Sequence, residues 1–240
     1  MNHHKNIILQ HFQLHETYLA SETHPIVEKS AQNIERYAHS LGAEYKLLDG
    51  KPFMEDLRMQ CQKLAMLNEE YDEYDTVVML DSDMFIRKGM TENVFEAKGI
   101  ACYDAVHKDR QHPHFCDMFP GYSDRNVQLW SGACYVLPRE IRQTFRAQIN
   151  PVTKAMMRKI SPHPFVEEGI MHMLAVYGKL GYNVYDKCLD EKWQYSHYLP
   201  NVENCYMIHI RKKPYGDEDG LYGAKMKNYN ELIDRGLIEA

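Results

Sequence analysis

The chain has 240 residues, of which 26% are charged, and a formal net charge of −6 at pH 7. A chain of this length fits one large α/β domain with a substantial buried core. The acidic balance, and the lack of any basic run longer than residues 211–213, argue against a nucleic-acid groove.

The distribution of apolar residues and cysteines bears on membrane insertion, secretion and disulfide formation. No stretch of about 18 apolar residues is present, and the first residues lead directly into a strand pattern rather than a signal-peptide core. We therefore expect a soluble, cytoplasmic protein without a transmembrane segment. The six cysteines show no C-x-x-C spacing, which favours reduced, packed thiols.

The first part of the chain predicts alternating strands and helices. Residues 6–12 have the pattern of a strand, residues 31–41 have helical periodicity, and residues 44–48 predict a second strand. Such a β-α-β unit is expected to form a right-handed parallel crossover. A second amphipathic helix is predicted over residues 54–68, and it leads into an apolar strand over residues 76–80.

The later part of the chain predicts more strands and helices around one long loop. The predicted strands cover residues 100–106, 132–137, 183–185 and 205–210. The predicted helices cover residues 138–148 and 164–179. Residues 107–130 are rich in Pro, Gly, Asp and aromatic residues and predict an irregular loop, which in a compact domain is usually functional.

Two acidic residues, Asp81 and Asp83, directly follow the apolar strand at residues 76–80. Because unpaired carboxylates are costly in a core, the chain is expected to reach the surface there, at the strand end where α/β sheets bind ligands. Alternate residues of an extended segment point the same way, so both carboxylates converge. They form a candidate site for Mg²⁺ or Mn²⁺ serving a nucleotide. A strand-end turn capped by Asp is the simpler alternative.

The order of these features resembles the glycosyltransferases of GT-A fold: early β-α-β units, a strand ending in Asp81-Ser82-Asp83, a Ser131-Gly132 strand and a late strand with His209. The resemblance is strongest to retaining, metal-dependent enzymes of the glycogenin and galactosyltransferase type, including small viral or bacterial members. It implies a single α/β domain with a mixed, mostly parallel central sheet flanked by helices. It also implies a nucleotide-binding half at about residues 1–106, an acceptor and catalytic half at about 107–215, and a polar surface tail at about 216–240.

The resemblance further implies roles for individual residues. His209 is the expected third metal ligand, since an imidazole nitrogen tunes a carboxylate site towards Mn²⁺; an ordinary strand-end histidine is the alternative. The expected nucleotide-binding residues are Gln10, His11, Phe12, Lys63, Ser82, Lys212 and Lys213. A solvent-facing position is the alternative for the three lysines. The chain departs from the family pattern because no glycine separates the histidine from the lysines, and because Tyr215 stands where the family has tryptophan.

The expected catalytic residues are Glu168, as first choice, and Glu167. In GT-A enzymes an acidic residue at this place deprotonates the acceptor hydroxyl or contacts the donor sugar, close to an oxocarbenium-like transition state. Acidic residues at a helix N-terminus are also favoured by the helix dipole, so a purely structural role is the alternative. The expected sugar and acceptor contacts are Trp130, Ser131 and Gly132, with Trp130 stacking on a sugar ring or lying in the core.

The sequence therefore predicts a hexosyltransferase that uses Mn²⁺ or Mg²⁺ and a nucleotide-diphospho sugar, UDP-hexose by preference. The acceptor is expected to be a hydroxyl on a glycan or glycoprotein, and the reaction to be retaining. A non-catalytic nucleotide-sugar-binding module of the same fold is the main alternative. A haloacid-dehalogenase-type phosphatase would require Thr or Val where Phe85 stands, and a nucleotidyltransferase would require glycines that residues 10–24 lack.

Overall fold

The computed structural model describes residues 5–13, 20–103, 108–119, 129–180, 187–211 and 220–239. The strands of these residues are β1 (Asn6–His11), β2 (Glu44–Leu48), β3 (Thr76–Leu80), β4 (Met84–Ile86), β5 (Ala101–Tyr103), β6 (Trp130–Pro138), β7 (Cys188–Leu189), β8 (Tyr195–Ser196) and β9 (Met207–His209). The α-helices are α1 (Ala20–Ser40), α2 (Lys108–Met118), α3 (Arg139–Ala147), α4 (Pro151–Ile160), α5 (Val166–Tyr177) and α6 (Gly220–Asp234). Among the helices described, none is long and apolar enough to cross a membrane.

The strands form two sheets. The larger sheet has six strands in the order β2-β1-β3-β6-β5-β7, and the smaller has three in the order β4-β9-β8. Strand β1 pairs in parallel with both β2 and β3, while β6 runs antiparallel to β3 and β5. The predicted β-α-β unit and the predicted mixed, mostly parallel sheet flanked by helices in one domain are confirmed.

Strand β3 lies at the centre of the larger sheet and is covered on both faces. Val77 and Met79 belong to one hydrophobic cluster, and Val78 and Leu80 belong to another. This alternation is the period of two expected of a strand, and a strand buried on both faces has the continuous apolar sequence seen here. The burial of β3 up to Leu80 fixes the point at which the acidic residues leave the core.

The predicted amphipathic α-helix over residues 54–68 is wrong in type. The structure has a 3-10 helix at Met59–Leu67, preceded by turns. Its residues from Cys61 to Leu67 are all buried, so the segment has no solvent-facing side of the kind that amphipathic periodicity assumes. The Gln62 amide also stabilises the preceding turns, because it accepts from Phe53 N and donates to Met54 O.

Two further predictions require correction in the middle of the chain. The predicted loop at residues 107–130 contains the helix α2, whose Phe115 and Met118 are buried despite Pro113 within the helix. Helix α4 was not predicted, although its sequence carries the signals: Asn150 forms a capping box with Thr153, and Pro151 occupies the first turn. Residues 104–107, 120–128 and the predicted strand at 183–185 lie outside the described residues.

The part of the predicted surface tail that the structure describes is not irregular, because residues 220–234 form α6. This helix contributes Tyr229 and Leu232 to a hydrophobic cluster that also contains Phe85 and Ile208. The rings of Tyr229 and Phe85 lie 5.3 Å apart between centroids. The C-terminal helix therefore packs against the smaller sheet, next to the strand that follows Asp83.

Candidate functional site

The site begins where the chain leaves β3. Asp81 N donates to Ala133 O at 2.9 Å, and Met84 N donates to Asp81 O at 3.3 Å, so residues 81–84 form a turn between β3 and β4. In the smaller sheet, Met84 pairs with His209 of the antiparallel strand β9. Ile210 N also donates to Asp83 O at 3.0 Å. This register is what brings the late histidine to the two early aspartates.

Asp81, Asp83 and His209 each offer one ligand atom, and these atoms all lie within 4.8 Å of one another. His209 Nε2 is 3.1 Å from Asp83 Oδ1 and 3.6 Å from Asp81 Oδ2. Adjacent ligands of an octahedral ion with bonds of about 2.1 Å are about 3 Å apart, so these separations suit Mg²⁺ or Mn²⁺. Two carboxylates and an imidazole are also the donors that such ions accept. The three residues therefore fit a divalent cation.

The electrostatics of the three ligands also suit a cation. Burial alone would raise the pKa of Asp83, but the neighbouring Lys225 and His209 outweigh burial and hold the pKa well below its usual range. Burial lowers the pKa of His209, which favours the neutral imidazole that a metal requires. Arg211 Nε donates to His209 Nδ1 at 2.7 Å, so in this structure the ring hydrogen is on Nε2 and faces Asp83. If a cation binds Nε2, the ring hydrogen must move to Nδ1. Nδ1 can then no longer accept the hydrogen bond from Arg211, so that hydrogen bond must break.

Lys63 is buried next to Asp81, Asp83 and His209, the three residues that we call the metal-ligand cluster. Its ammonium donates to Asp81 Oδ1 at 2.6 Å and to Gly132 O at 2.7 Å, and it lies 2.8 Å from Glu167 Oε2. Burial would lower the pKa of Lys63, but Asp81 and Glu167 outweigh burial and raise it. The three N–H groups of the ammonium all face partners within the chain. Lys63 therefore links Asp81, Gly132 and Glu167 to one another, and its role as a nucleotide contact stays a prediction.

Glu167 and Glu168 lie in the first turn of α5, as predicted. Glu167 is 2% exposed, and burial raises its pKa well above the usual range, with Lys63 acting against that rise. Glu168 is half-buried; its Oε1 accepts from Gly132 N at 3.4 Å, and burial raises its pKa as well. A Cβ on Gly132 would stand 3.0 Å from Glu167 Oε1, so glycine permits this close approach. Both carboxyl groups thus meet β6 at Gly132.

The predicted sugar contacts in β6 divide between the core and the site. Trp130 is 1% exposed and belongs to the hydrophobic cluster that contains Val77 and Met79, which favours the core alternative over stacking on a sugar. Ser131 Oγ accepts from Arg211 Nη2 at 3.3 Å, which connects it to the histidine of the metal-ligand cluster. Ser131 and Gly132 are therefore the two members of this group that the structure brings to the site.

Gln10, a predicted nucleotide contact at the end of β1, has all its partners within the chain. Gln10 is fully buried, and its amide donates to Asp81 O at 2.8 Å and to Ser30 Oγ at 2.9 Å, while it accepts from Tyr45 OH at 2.8 Å. The polar atoms of Gln10 thus hold the Asp81 turn in this structure, and contact with a nucleobase stays a prediction.

The other predicted nucleotide contacts lie in different surroundings. His11 is buried with its Nε2 2.9 Å from Gly50 O, whereas Phe12 and Ser82 are half-buried. Lys212 and Lys213 lie outside the described residues.

Two basic residues at the site were not assigned from the sequence. Arg211 contacts His209 and Ser131, and Lys225 of α6 forms an ion pair with Asp83. Arg211 follows His209 by two residues, and side chains two apart share a face in an extended segment, which was an available signal. Lys225 carried no local signal, because only the packing of α6 brings it 142 residues back along the chain to Asp83.

Comparison with solved structures shows what fold the chain shares. The chain is similar to the galactosyltransferase LgtC in complex with donor and acceptor sugar analogs, with a TM-score of 0.51 and 12% identity over 98% of this chain and 97% of that chain. An active-site mutant of LgtC gives a TM-score of 0.53 at 12% identity, again over 98% of this chain and 97% of that chain. A glycosyltransferase involved in the glycosylation of the major capsid of PBCV-1 gives a TM-score of 0.46 at 12% identity, over 95% of this chain and 99% of that chain.

The sequence comparisons found no relative. No family model matches the sequence, and no curated protein matches it. At 12% identity, the likeness to LgtC shows the fold alone. The chain has the α/β architecture of the GT-A glycosyltransferases, and its Asp81, Asp83 and His209 cluster lies at the end of a central strand. The expected fold class is confirmed.

Proposed function

We propose that the protein is a metal-dependent glycosyltransferase. It takes a nucleotide-diphospho sugar, UDP-hexose by preference, and transfers the hexose to a hydroxyl on a glycan or glycoprotein acceptor. The observation that carries the proposal is the convergence of Asp81, Asp83 and His209 at the carboxyl end of β3. Carboxyl ends of strands are the ligand-binding edge of α/β sheets. The fold supports the proposal, because it is shared with a solved galactosyltransferase.

Asp81, Asp83 and His209 would hold Mn²⁺ or Mg²⁺ in this enzyme. The bound cation would supply charge neutralisation on the diphosphate leaving group. Asp83 keeps its negative charge because its pKa is held low, and burial keeps His209 neutral. The turn at residues 81–84 is supported from beneath by Gln10 and by Lys63, which bind the backbone and the side chain of Asp81. The Asp81 carboxylate is thereby oriented before a ligand arrives.

The catalytic role is proposed for Glu168, with Glu167 as its support. Lys63 holds the Glu167 carboxylate at 2.8 Å, whereas Glu168 is half-buried and makes a longer contact with Gly132 N. Glu168 is therefore the carboxylate with more freedom to act on a substrate. In a retaining transfer, it would stabilise the positive charge that develops on the sugar ring.

The nucleotide is proposed to lie along the end of β1. Gln10 pairs with Leu80 in the parallel ladder, so His11 and Phe12 continue beside the Asp81 turn. Phe12 and Ser82 are half-buried there, and Lys212 and Lys213 remain proposed partners of the diphosphate. In this proposal, residues 1–106 bind the nucleotide and residues 107–215 provide the catalytic and acceptor side.

A donor screen tests the proposal. The protein is incubated with a panel of nucleotide sugars and Mn²⁺, and released nucleoside diphosphate is measured by mass spectrometry, with Asp83→Asn as the matched control. We expect release from at least one donor, from a UDP-hexose first, and its loss in the control. Binding of a donor without release would support the non-catalytic module instead. Release that is equal in Asp83→Asn would contradict the metal-site assignment.

A further inference from the structure

An ion pair joins the C-terminal helix to the metal-ligand cluster. Lys225 Nζ of α6 contacts Asp83 Oδ2, and the two side chains are only 14% and 12% exposed. The other oxygen of the same carboxylate, Oδ1, faces His209 Nε2 at 3.1 Å. An ammonium and the imidazole therefore share the Asp83 carboxylate between them.

The packing of α6 explains why Lys225 lies there. Lys225, Tyr229 and Leu232 are spaced by four and three residues, so they share one face of the helix. Tyr229 packs on Phe85 of β4, and Leu232 is buried in the same cluster. Phe85 follows Asp83 by two residues, and Lys225 precedes Tyr229 by about one helical turn. When Tyr229 packs on Phe85, Lys225 therefore lies next to Asp83. The apolar contacts hold the helix, and the lysine side chain reaches the carboxylate from the same face.

A lysine ammonium on Asp83 Oδ2 and a divalent cation on Oδ1 would share one carboxylate and repel each other. Like charges this close together repel each other near a protein surface, and a doubly charged ion repels the ammonium more strongly than a singly charged one. The two aspartates also differ in their partners. Asp81 is paired with the buried Lys63, which is bound to Glu167 as well, whereas Asp83 is paired with a lysine from a separate helix.

We propose that Lys225 is the internal counter-ion of the metal site and competes with the divalent cation for Asp83. This inference rests on the proposed function, because it assumes that Asp81, Asp83 and His209 take a cation. A cation bound at Oδ1 weakens the attraction between Asp83 and the ammonium, so the lysine side chain moves away while α6 stays packed through Tyr229 and Leu232. The affinity of the site for Mn²⁺ is therefore set in part by the C-terminal helix.

The test measures Mn²⁺ binding alone, by electron paramagnetic resonance of the free ion, without nucleotide or turnover. Lys225→Met removes the charge and keeps the apolar stem, and we expect it to bind Mn²⁺ about tenfold more tightly, within the range typical of coupling between two sites. Lys225→Gln should act in the same direction. Lys225→Arg keeps the charge and should bind as the wild type does. Lys227→Met, at an exposed position of the same helix, is the matched control and should also leave the affinity unchanged.

The outcomes separate this inference from the proposed function. If wild type binds Mn²⁺ and the folded Lys225→Met and Lys225→Gln variants bind it equally or more weakly, the competition is contradicted while the metal site stands. If neither wild type nor these variants bind Mn²⁺ at millimolar concentration, the metal site itself is contradicted and the inference with it. Circular dichroism and thermal unfolding establish that each variant is folded.

Discussion

Glu167 Oε2 lies 2.8 Å from the buried ammonium of Lys63. This contact joins the first turn of α5 to the 3-10 helix Met59–Leu67, and the same ammonium binds Asp81 Oδ1 at 2.6 Å. One cation therefore holds both the proposed catalytic turn and one proposed metal ligand. A buried charge with three partners fixes the relative position of those partners, because its removal leaves them unpaired.

The first prediction concerns this buried lysine. Lys63→Met should lower the free energy of unfolding by about 3 kcal/mol or more, because it leaves a buried carboxylate without its cation. Urea unfolding measures the loss. Lys159→Met, at an exposed position, is the control and should change stability by no more than about 0.5 kcal/mol. Adding Glu167→Gln to Lys63→Met should restore part of the loss; if the two losses simply add, the pair is not coupled.

The second prediction separates the two glutamates. Glu168→Gln should reduce kcat by about two orders of magnitude or more and leave UDP affinity nearly unchanged, as loss of a transition-state contact does. Glu167→Gln should reduce kcat less and thermal stability more, because Glu167 is the partner of Lys63. Steady-state kinetics and thermal unfolding of both variants are the measurements. The reverse order of kcat effects would transfer the catalytic role to Glu167.

The third prediction ranks the metal ligands. His209→Ala should weaken Mn²⁺ binding by about an order of magnitude, and Asp83→Ala should weaken it more, since water replaces a neutral ligand more readily than a carboxylate. Electron paramagnetic resonance of free Mn²⁺ gives both affinities. Equal affinity of wild type and His209→Ala would show that the third ligand lies elsewhere.

The fourth prediction concerns the pH dependence of stability. His172 of α5 is buried, and burial lowers its pKa from 6.5 to about 4. The unfolded chain therefore takes up a proton before the folded one, so the stabilising effect is present above pH 6.5 and is lost as pH falls towards 4. At pH 5 the loss should be about 2 kcal/mol relative to pH 8. Unfolding of wild type and His172→Leu at both pH values tests this, since the variant should lack this component of the pH dependence.

The sequence predicts those parts of the fold and site that depend on local pattern. The apolar run before Asp81 predicts both the central strand and the place where the chain leaves the core, and the β1-α1-β2 unit follows from periodicity. His209 was placed by resemblance to a family, and the β4 to β9 register brings it to Asp83. Its role as a ligand stays a prediction.

Contacts between distant segments account for what the sequence could not predict. Gln10 has the residue type of a base-reading amide, yet its partners are Asp81 O, Ser30 and Tyr45, which only the folded sheet brings together. Lys225 lies in a segment whose polar composition predicts a surface tail. Its helix is stabilised by packing against Phe85, and side-chain packing of this kind overrides local composition.

Calorimetric titration of UDP into the protein, with Mn²⁺ and with a chelator, tests the central claim most directly. We expect UDP to bind with Mn²⁺ and much more weakly without it, and Asp83→Ala to abolish the metal-dependent part of the affinity. Circular dichroism establishes that the variant is folded, because the change removes the carboxylate that contacts Lys225 and His209. Undiminished metal-dependent affinity in Asp83→Ala would contradict the claim that Asp81, Asp83 and His209 hold the cation for a nucleotide.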